Sequence, residues 1–313
     1  MVNYFSRSCI QLIKKCNLLF FLLAFYPAGL MASGPGEKDS TVSGREEAIR
    51  YIERLPPLQP SPLWPAIKPS LFLENIKDNI QNPMNLYEGN NTNFCGYAAL
   101  SYLVLQEDPL GYAKCMIRLF REGKAGLYRA LFRPSAAIRR VAGALRYKGM
   151  LDIRPADQLW FLSLADHFKG YLNLLNPAYD PGDEDKLWAA VNYGKFNRMV
   201  RKLLPYQVRA RGSDLLRPAI RDIYAYLRNA LQTGYTVLYV NNTILHRKNY
   251  NLIRADVPTH YIILLSAEET TEGLVNIVFW DYGFRTLRQL PKTFLKKIIF
   301  GITHCTKKPD DAP

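Results

Sequence analysis

The eleven residues from Cys95 to Leu105, CGYAALSYLVL, are apolar on nearly every side of a helix. A helix without a polar stripe has no face to give to water, so other elements must wrap it at the centre of a fold. The chain has the means to do this. Its 313 residues are 48% hydrophobic, 12% aromatic and 22% charged, which excludes disordered and fibrous classes and suffices for one large domain or two small ones.

The flanking pattern divides the chain by character. Helical spacing recurs at 45–54, at 70–80 with Ser70 as a candidate N-cap, and at 108–122 with Asp108 capping and Pro109 at the first position. It continues at about 126–132, 134–148, 156–168, 185–203 and 214–232. After Gly234 the runs YTVLYVN (235–241), HYIILLS (260–266) and LVNIVFWD (274–281) are β-rich and bounded by turn residues. FRTLRQ (284–289) follows Tyr282-Gly283 as a hairpin partner, and Pro291 opens a last short helix. Helices first and an antiparallel sheet second is an α+β order, with a helical insert at about 107–232.

The N-terminus reads as an export signal. Arg7, Lys14 and Lys15 precede an apolar stretch, Leu18 to Tyr26, and small residues place cleavage near Ala32. Residues 1–32 are therefore expected to be a signal peptide and the protein secreted or periplasmic; an uncleaved anchor is the alternative. Residues 33–69 form a flexible leader and then a strap, PPLQPSPLWPAIKP, whose six prolines forbid helix interior and whose Leu63, Trp64 and Ile67 anchor it. Residues 70–313 form the main domain. The net charge of +14 favours anionic partners such as an envelope polymer, but the basic residues are scattered, which gives no specific nucleic-acid signal.

Three cysteines remain beyond the signal. Cys115 sits mid-helix between Ala113, Lys114 and Met116, and an oxidising compartment permits a Cys115–Cys305 disulfide; two buried thiols are the alternative. Cys95 differs, because it opens the buried helix after the polar approach Asn90-Asn91-Thr92-Asn93. Free N–H groups at a helix start lower a thiol's pKa, and Gly96 leaves room for a substrate backbone. Among the histidines, His260 begins a strand whose antiparallel neighbour ends in Asp281. The start of one such strand meets the end of the next, so Asp281 is placed to hold one ring nitrogen while the other faces Cys95. His246-Arg247-Lys248 reads as a solvated loop, with the rim of a cleft as the alternative, and His304 has no partners at metal spacing. Asp180, Asp183, Glu184 and Asp185 form an acidic loop without an EF-hand pattern, so no metal or other cofactor is expected. Trp280 is either core or a cover over the base.

NFCGYAAL resembles the nucleophile helix of papain-like cysteine peptidases, including bacterial secreted and toxin-type branches, and the peptidase domains of bacteriocin exporters. THYIILL…IVFWDYG is similar to the His and Asx strands of that fold. The resemblance covers about residues 85–105 and 258–284. It implies two lobes, a helical one carrying Cys95 and a sheet lobe carrying His260, with a protein or peptide substrate between them. It also implies an exported thiol hydrolase of peptide or isopeptide bonds. The alternatives are a glutamine deamidase, a transglutaminase, a cell-wall amidase, and an inactive binding protein. One departure stands out. The family places a Gln shortly before the Cys to bind the oxyanion; here Gln81 is too far and Glu88-Gly89 stands nearest, where a carboxylate would repel that charge unless protonated. Asn90 is the favoured donor, with Asn91 and Asn93 as alternatives.

Overall fold

The computed structural model describes residues 40–89, 92–145, 153–246 and 257–307. The expected signal at 1–32 lies outside them, and among them no helix is long and apolar enough to cross a membrane. In chain order the elements are α1 (Ser40–Glu53), α2 (Pro69–Gln81), α3 (Cys95–Glu107), α4 (Pro109–Glu122), β1 (Ala125–Leu127), β2 (Ala130–Phe132), α5 (Ala136–Val141), α6 (Pro155–His167) and α7 (Tyr193–Leu203). The second part adds β3 (Tyr206–Gly212), α8 (Ile223–Leu231), β4 (Tyr235–Val240), α9 (Asn242–Leu245), β5 (His260–Glu269), β6 (Leu274–Asp281), β7 (Phe284–Pro291), α10 (Lys292–Ile298) and β8 (Ile299–Lys307). The fold is α+β, and its main sheet is antiparallel throughout in the order β3-β8-β4-β5-β6-β7.

The apolar strands read as unbroken hydrophobic runs because both faces of the sheet are covered. Alternate side chains serve two cores. Val237, Tyr239, Tyr261, Ile263 and Trp280 join the helical core, whereas Leu238, Val240, Ile262, Leu264, Ile277 and Phe279 pack with Ile223 and Leu227 of α8 and Leu295 and Ile298 of α10. The central helix is wrapped as its composition demands. Every residue from Gly96 to Leu105 is buried, and α3 packs against β5 of the sheet and against α4, α6 and α7.

The strap is held where its apolar anchors meet a helix end. Trp64 Nε1 donates to the Leu119 carbonyl at 2.8 Å, and Ser61 Oγ to the Phe120 carbonyl at 2.8 Å. Phe120 lies in the last turn of α4, whose carbonyls have no partner within the helix, and the Leu119 carbonyl also accepts the Gly123 N–H at 2.9 Å. Gly123 ends that helix at φ +67, a left-handed conformation that favours glycine.

Several expectations need correction. Helix α2 takes Pro69 at its first position with Lys68 as N-cap, so Ser70 is inside the helix and caps nothing. The segment expected to be helical at 126–132 is the β1–β2 hairpin, because only ten residues separate Gly123 from Pro134 and their burial alternates strand-like. Within the insert, β3 crosses to the main sheet and pairs with β8, a strand the sequence reading assigned to no element. Helix α7 begins only at Tyr193, and α8 only at Ile223 after a proline-bearing loop. Cys115 in α4 and Cys305 in β8 are both buried and free in the structure, and both belong to the helical core.

Candidate active site

The site is assembled at the seam between α3 and the edge of β5. Cys95 is the first residue of α3, half-buried, with Phe94 as N-cap. Its Sγ lies 4.0 Å from the carbonyl of Thr259, the residue before His260. Thr259 is fixed in turn, because its N–H donates to the Val240 carbonyl at 2.9 Å and its Oγ1 accepts the Asn242 N–H at 3.3 Å. His260 opens β5 opposite Val240 and is buried. Thus the sheet register, and not a local motif, brings the start of β5 to the helix start.

Asp281 closes β6 and is also buried. His260 Nε2 lies 2.5 Å from its Oδ1. The other oxygen, Oδ2, lies 2.9 Å from Nε2 of His246, in the segment whose sequence reads as a solvated loop or a cleft rim. Arg288 Nη2 contacts His246 Nδ1 at 3.2 Å. An arginine only donates, so Nδ1 of His246 is the acceptor and Nε2 carries the proton, at ion-pair distance from Asp281 but without hydrogen-bond geometry. Burial pushes the Asp281 carboxyl up, but the hydrogen bonds and charges of the two imidazoles together outweigh it and hold the group below its ordinary value. An ionised Asp281 therefore takes Nε2–H from His260, which leaves the Nδ1 lone pair of that ring as a base.

The β6–β7 turn presses a ring over this base. Asp281 pairs with Phe284, so Tyr282 and Gly283 are the two loop residues, at φ +50 and +79. Positive φ at both is the geometry that matches strand twist in a two-residue hairpin, and a tyrosine there is uncommon. Its ring stacks on His260 at 4.4 Å and 13°, and its hydroxyl accepts from Asn242 Nδ2 at 2.7 Å. Tyr282, and not Trp280, is the cover. Trp280 is fully buried and donates Nε1 to the Met84 carbonyl at 3.0 Å, which seats the 83–89 segment against the end of β6.

That segment ends in Glu88, which is 1% exposed. Thr92 Oγ1 donates to the Glu88 carbonyl at 2.7 Å and accepts the Phe94 N–H at 3.3 Å, tying Glu88 to the entry of α3. Gly89 stands at φ +89, and a Cβ there would come within 2.6 Å of Ile153. Both requirements favour glycine. Neither carboxyl oxygen of Glu88 meets a hydrogen-bond partner in another residue among those described. Burial pushes the group up to about 8, its own backbone N–H pulls down by less, and the charge of Asp281 adds a smaller upward push.

The thiol itself is not the preformed thiolate that a helix start suggests. Burial pushes Cys95 up to about 12, with a further push from Glu88; the N–H groups of Tyr261 and Gly96 pull down, and Asp281 pushes up again. Gly96 also has a different reason from the expected room for substrate, since a Cβ there would meet Val191 at 2.8 Å. Val191 belongs to the 183–192 stretch of the insert, which closes on the helix entry. The Asn93 N–H donates to the Glu184 carbonyl at 2.7 Å and Asn93 Nδ2 to the Lys186 carbonyl at 2.9 Å. Asn93 is thereby engaged, and Asn90 and Asn91 lie outside the described residues.

The acidic loop is structural. Asp183 meets Lys186 Nζ at 3.0 Å and the Asp180 N–H at 3.0 Å, and Glu184 accepts from the Tyr179 hydroxyl. No cluster of metal-ligating side chains occurs among the described residues. His304 pairs with the Thr233 hydroxyl at 3.0 Å, away from the site. In comparisons with known proteins the chain matches no family model, no curated protein and no solved structure.

Proposed function

We propose that the chain is a thiol hydrolase acting on peptide or isopeptide bonds, with a papain-like division into a helical lobe carrying Cys95 and a sheet lobe carrying His260. The observation that carries this reading is the His260–Asp281 contact at 2.5 Å beside a helix-opening thiol whose Sγ lies 4.0 Å from the Thr259 carbonyl. Asp281 fixes the ring and its tautomer, and Nδ1 remains to take the thiol proton. Since burial holds Cys95 high, the resting pair is a thiol and a neutral imidazole. His260 then acts as a general base during attack, and returns the proton to the leaving group as the acyl-enzyme forms. The basic and apolar N-terminal stretches support an exported setting for this chemistry.

Iodoacetamide labelling resolved by mass spectrometry tests the assignment. Cys95 should react well before Cys115 and Cys305, which are about 1% exposed. Equal rates at Cys95 and Cys115 would overturn it. New peptide termini from a protein substrate, absent in Cys95→Ala, support hydrolysis. Ammonia released from protein glutamine without new termini would transfer the same site to deamidation.

A further inference from the structure

A buried carboxyl with no internal partner is costly unless it is neutral, and even a neutral one has an unmet O–H. Glu88 is such a group, and it is the one fully buried carboxyl side chain of the site without a donor facing it. The groups that act on it or feel its charge are Asp281 at the end of β6, Cys95 at the start of α3 and Tyr282 in the β6–β7 turn. Asp281 faces two imidazoles, His260 by a hydrogen bond and His246 at ion-pair distance. Thr92 Oγ1 ties the Glu88 carbonyl to the N–H of Phe94, the residue before Cys95, so what remains for the Glu88 O–H is an acceptor brought to the entry of α3 from outside.

We propose that Glu88, kept as a neutral carboxylic acid, donates a hydrogen bond to the carbonyl oxygen of the bond attacked by Cys95. The proposal rests on the thiol-hydrolase reading above. As the Sγ–carbon bond forms, the carbonyl π pair moves onto oxygen and the thiol proton passes to His260 Nδ1. Glu88 strengthens its hydrogen bond to that oxygen and keeps its proton. When the pair returns, the bond to the leaving group breaks and the leaving group takes the proton from His260. An ionised Glu88 would repel the same oxygen, so the function of this residue depends on its burial and on the second carboxylate nearby.

Two probes separate this role from the nucleophile's. Iodoacetamide is displaced at a saturated carbon and forms no oxyanion, whereas p-nitrophenyl acetate acylates through a tetrahedral one. At pH 6.5, alkylation of Cys95 should stay within about threefold of wild type in Glu88→Gln and Glu88→Ala, which also shows that both variants keep the folded site. Cys95-dependent acylation, taken above the Cys95→Ala background, should fall about 10²–10³-fold in Glu88→Ala. Glu88→Gln, whose amide donates at every pH, should recover most of that loss and keep acylating above pH 8, where wild type declines. Acylation by Glu88→Ala equal to wild type, or an equal loss in both variants, overturns the proposal alone. A wild-type Cys95 that iodoacetamide does not label overturns the hydrolase reading and this proposal with it.

Discussion

Replacing Glu88 by glutamine should make folding stability nearly indifferent to alkali over a range in which the wild type weakens. The folded-state carboxyl stands at about 8 against an ordinary value of 4.5. Below 4.5 both folded and unfolded chains hold the proton, so its contribution is fully present. Between the two values only the folded chain holds it, and stability falls by about 1.4 kcal/mol for each pH unit. Above 8 both chains are ionised and the loss is complete. The interval spans about 3.5 pH units, which gives an upper bound of about 5 kcal/mol; water drawn into the site would reduce it. A protein with about 5–15 kcal/mol in hand would show this plainly. Urea unfolding followed by tryptophan fluorescence at pH 6 and pH 9 measures it. Wild type should lose about 3 kcal/mol more than Glu88→Gln between those values. Midpoints that move in parallel would refute the reasoning, because they would mean that Glu88 already carries its charge at neutral pH.

Two further substitutions test the packing and the hydrogen bonds. Gly96→Ala should cost about 1–3 kcal/mol in urea or thermal unfolding, since its Cβ meets Val191 at 2.8 Å, and Val191→Ala should restore part of the loss. Asp281→Asn removes the charge that faces both imidazoles and weakens the hydrogen bond to His260, so it should destabilise by about 1–3 kcal/mol. The cost should be smaller in a His246→Phe background, as a double-mutant cycle would show; an unchanged cost would mean that His246 does not share the carboxylate.

What the sequence showed plainly was periodicity carried over long stretches. The all-round apolar helix and strands β4 to β7 follow from such runs, with Cys95, His260 and Asp281 at the ends of their elements, whereas β8, which sits between β3 and β4 in the sheet, was assigned to no element. Short elements were illegible. The β1–β2 hairpin has three residues in each strand, and β3 is an edge strand exposed over most of its length, so neither has an apolar pattern to read. His246 was missed for a different reason. Its neighbours Arg247 and Lys248 are those of a solvated loop, and only the tertiary fold shows that Asp281 has a second oxygen facing it. The burial of Glu88 was equally out of reach, because it depends on Trp280 seating the 83–89 segment from nearly two hundred residues away.

These details combine into one account of how a buried site handles charge. Two carboxyls share it, and both cannot ionise without facing each other in a poorly solvated space. Asp281 has an imidazole on each oxygen and takes the charge; Glu88 has no donor from another residue and keeps its proton. Environment alone thus turns one carboxyl into a fixed anion that orients the His260 ring and the other into an acid. In the thiol hydrolase we propose, the same division governs Cys95: with an anion already present, a thiolate there is tolerated only while His260 holds the released proton, so it forms during attack and not before. Alkali, which activates an ordinary thiol, works against this one. Above pH 8 the ionised Glu88 sets a second negative charge beside Cys95 and pushes its proton loss further out of reach. Alkylation of wild-type Cys95 should accordingly rise less steeply with pH than that of Glu88→Gln. A wild-type rate that climbs as fast as the variant's across pH 7–10 would show that the two groups do not feel each other.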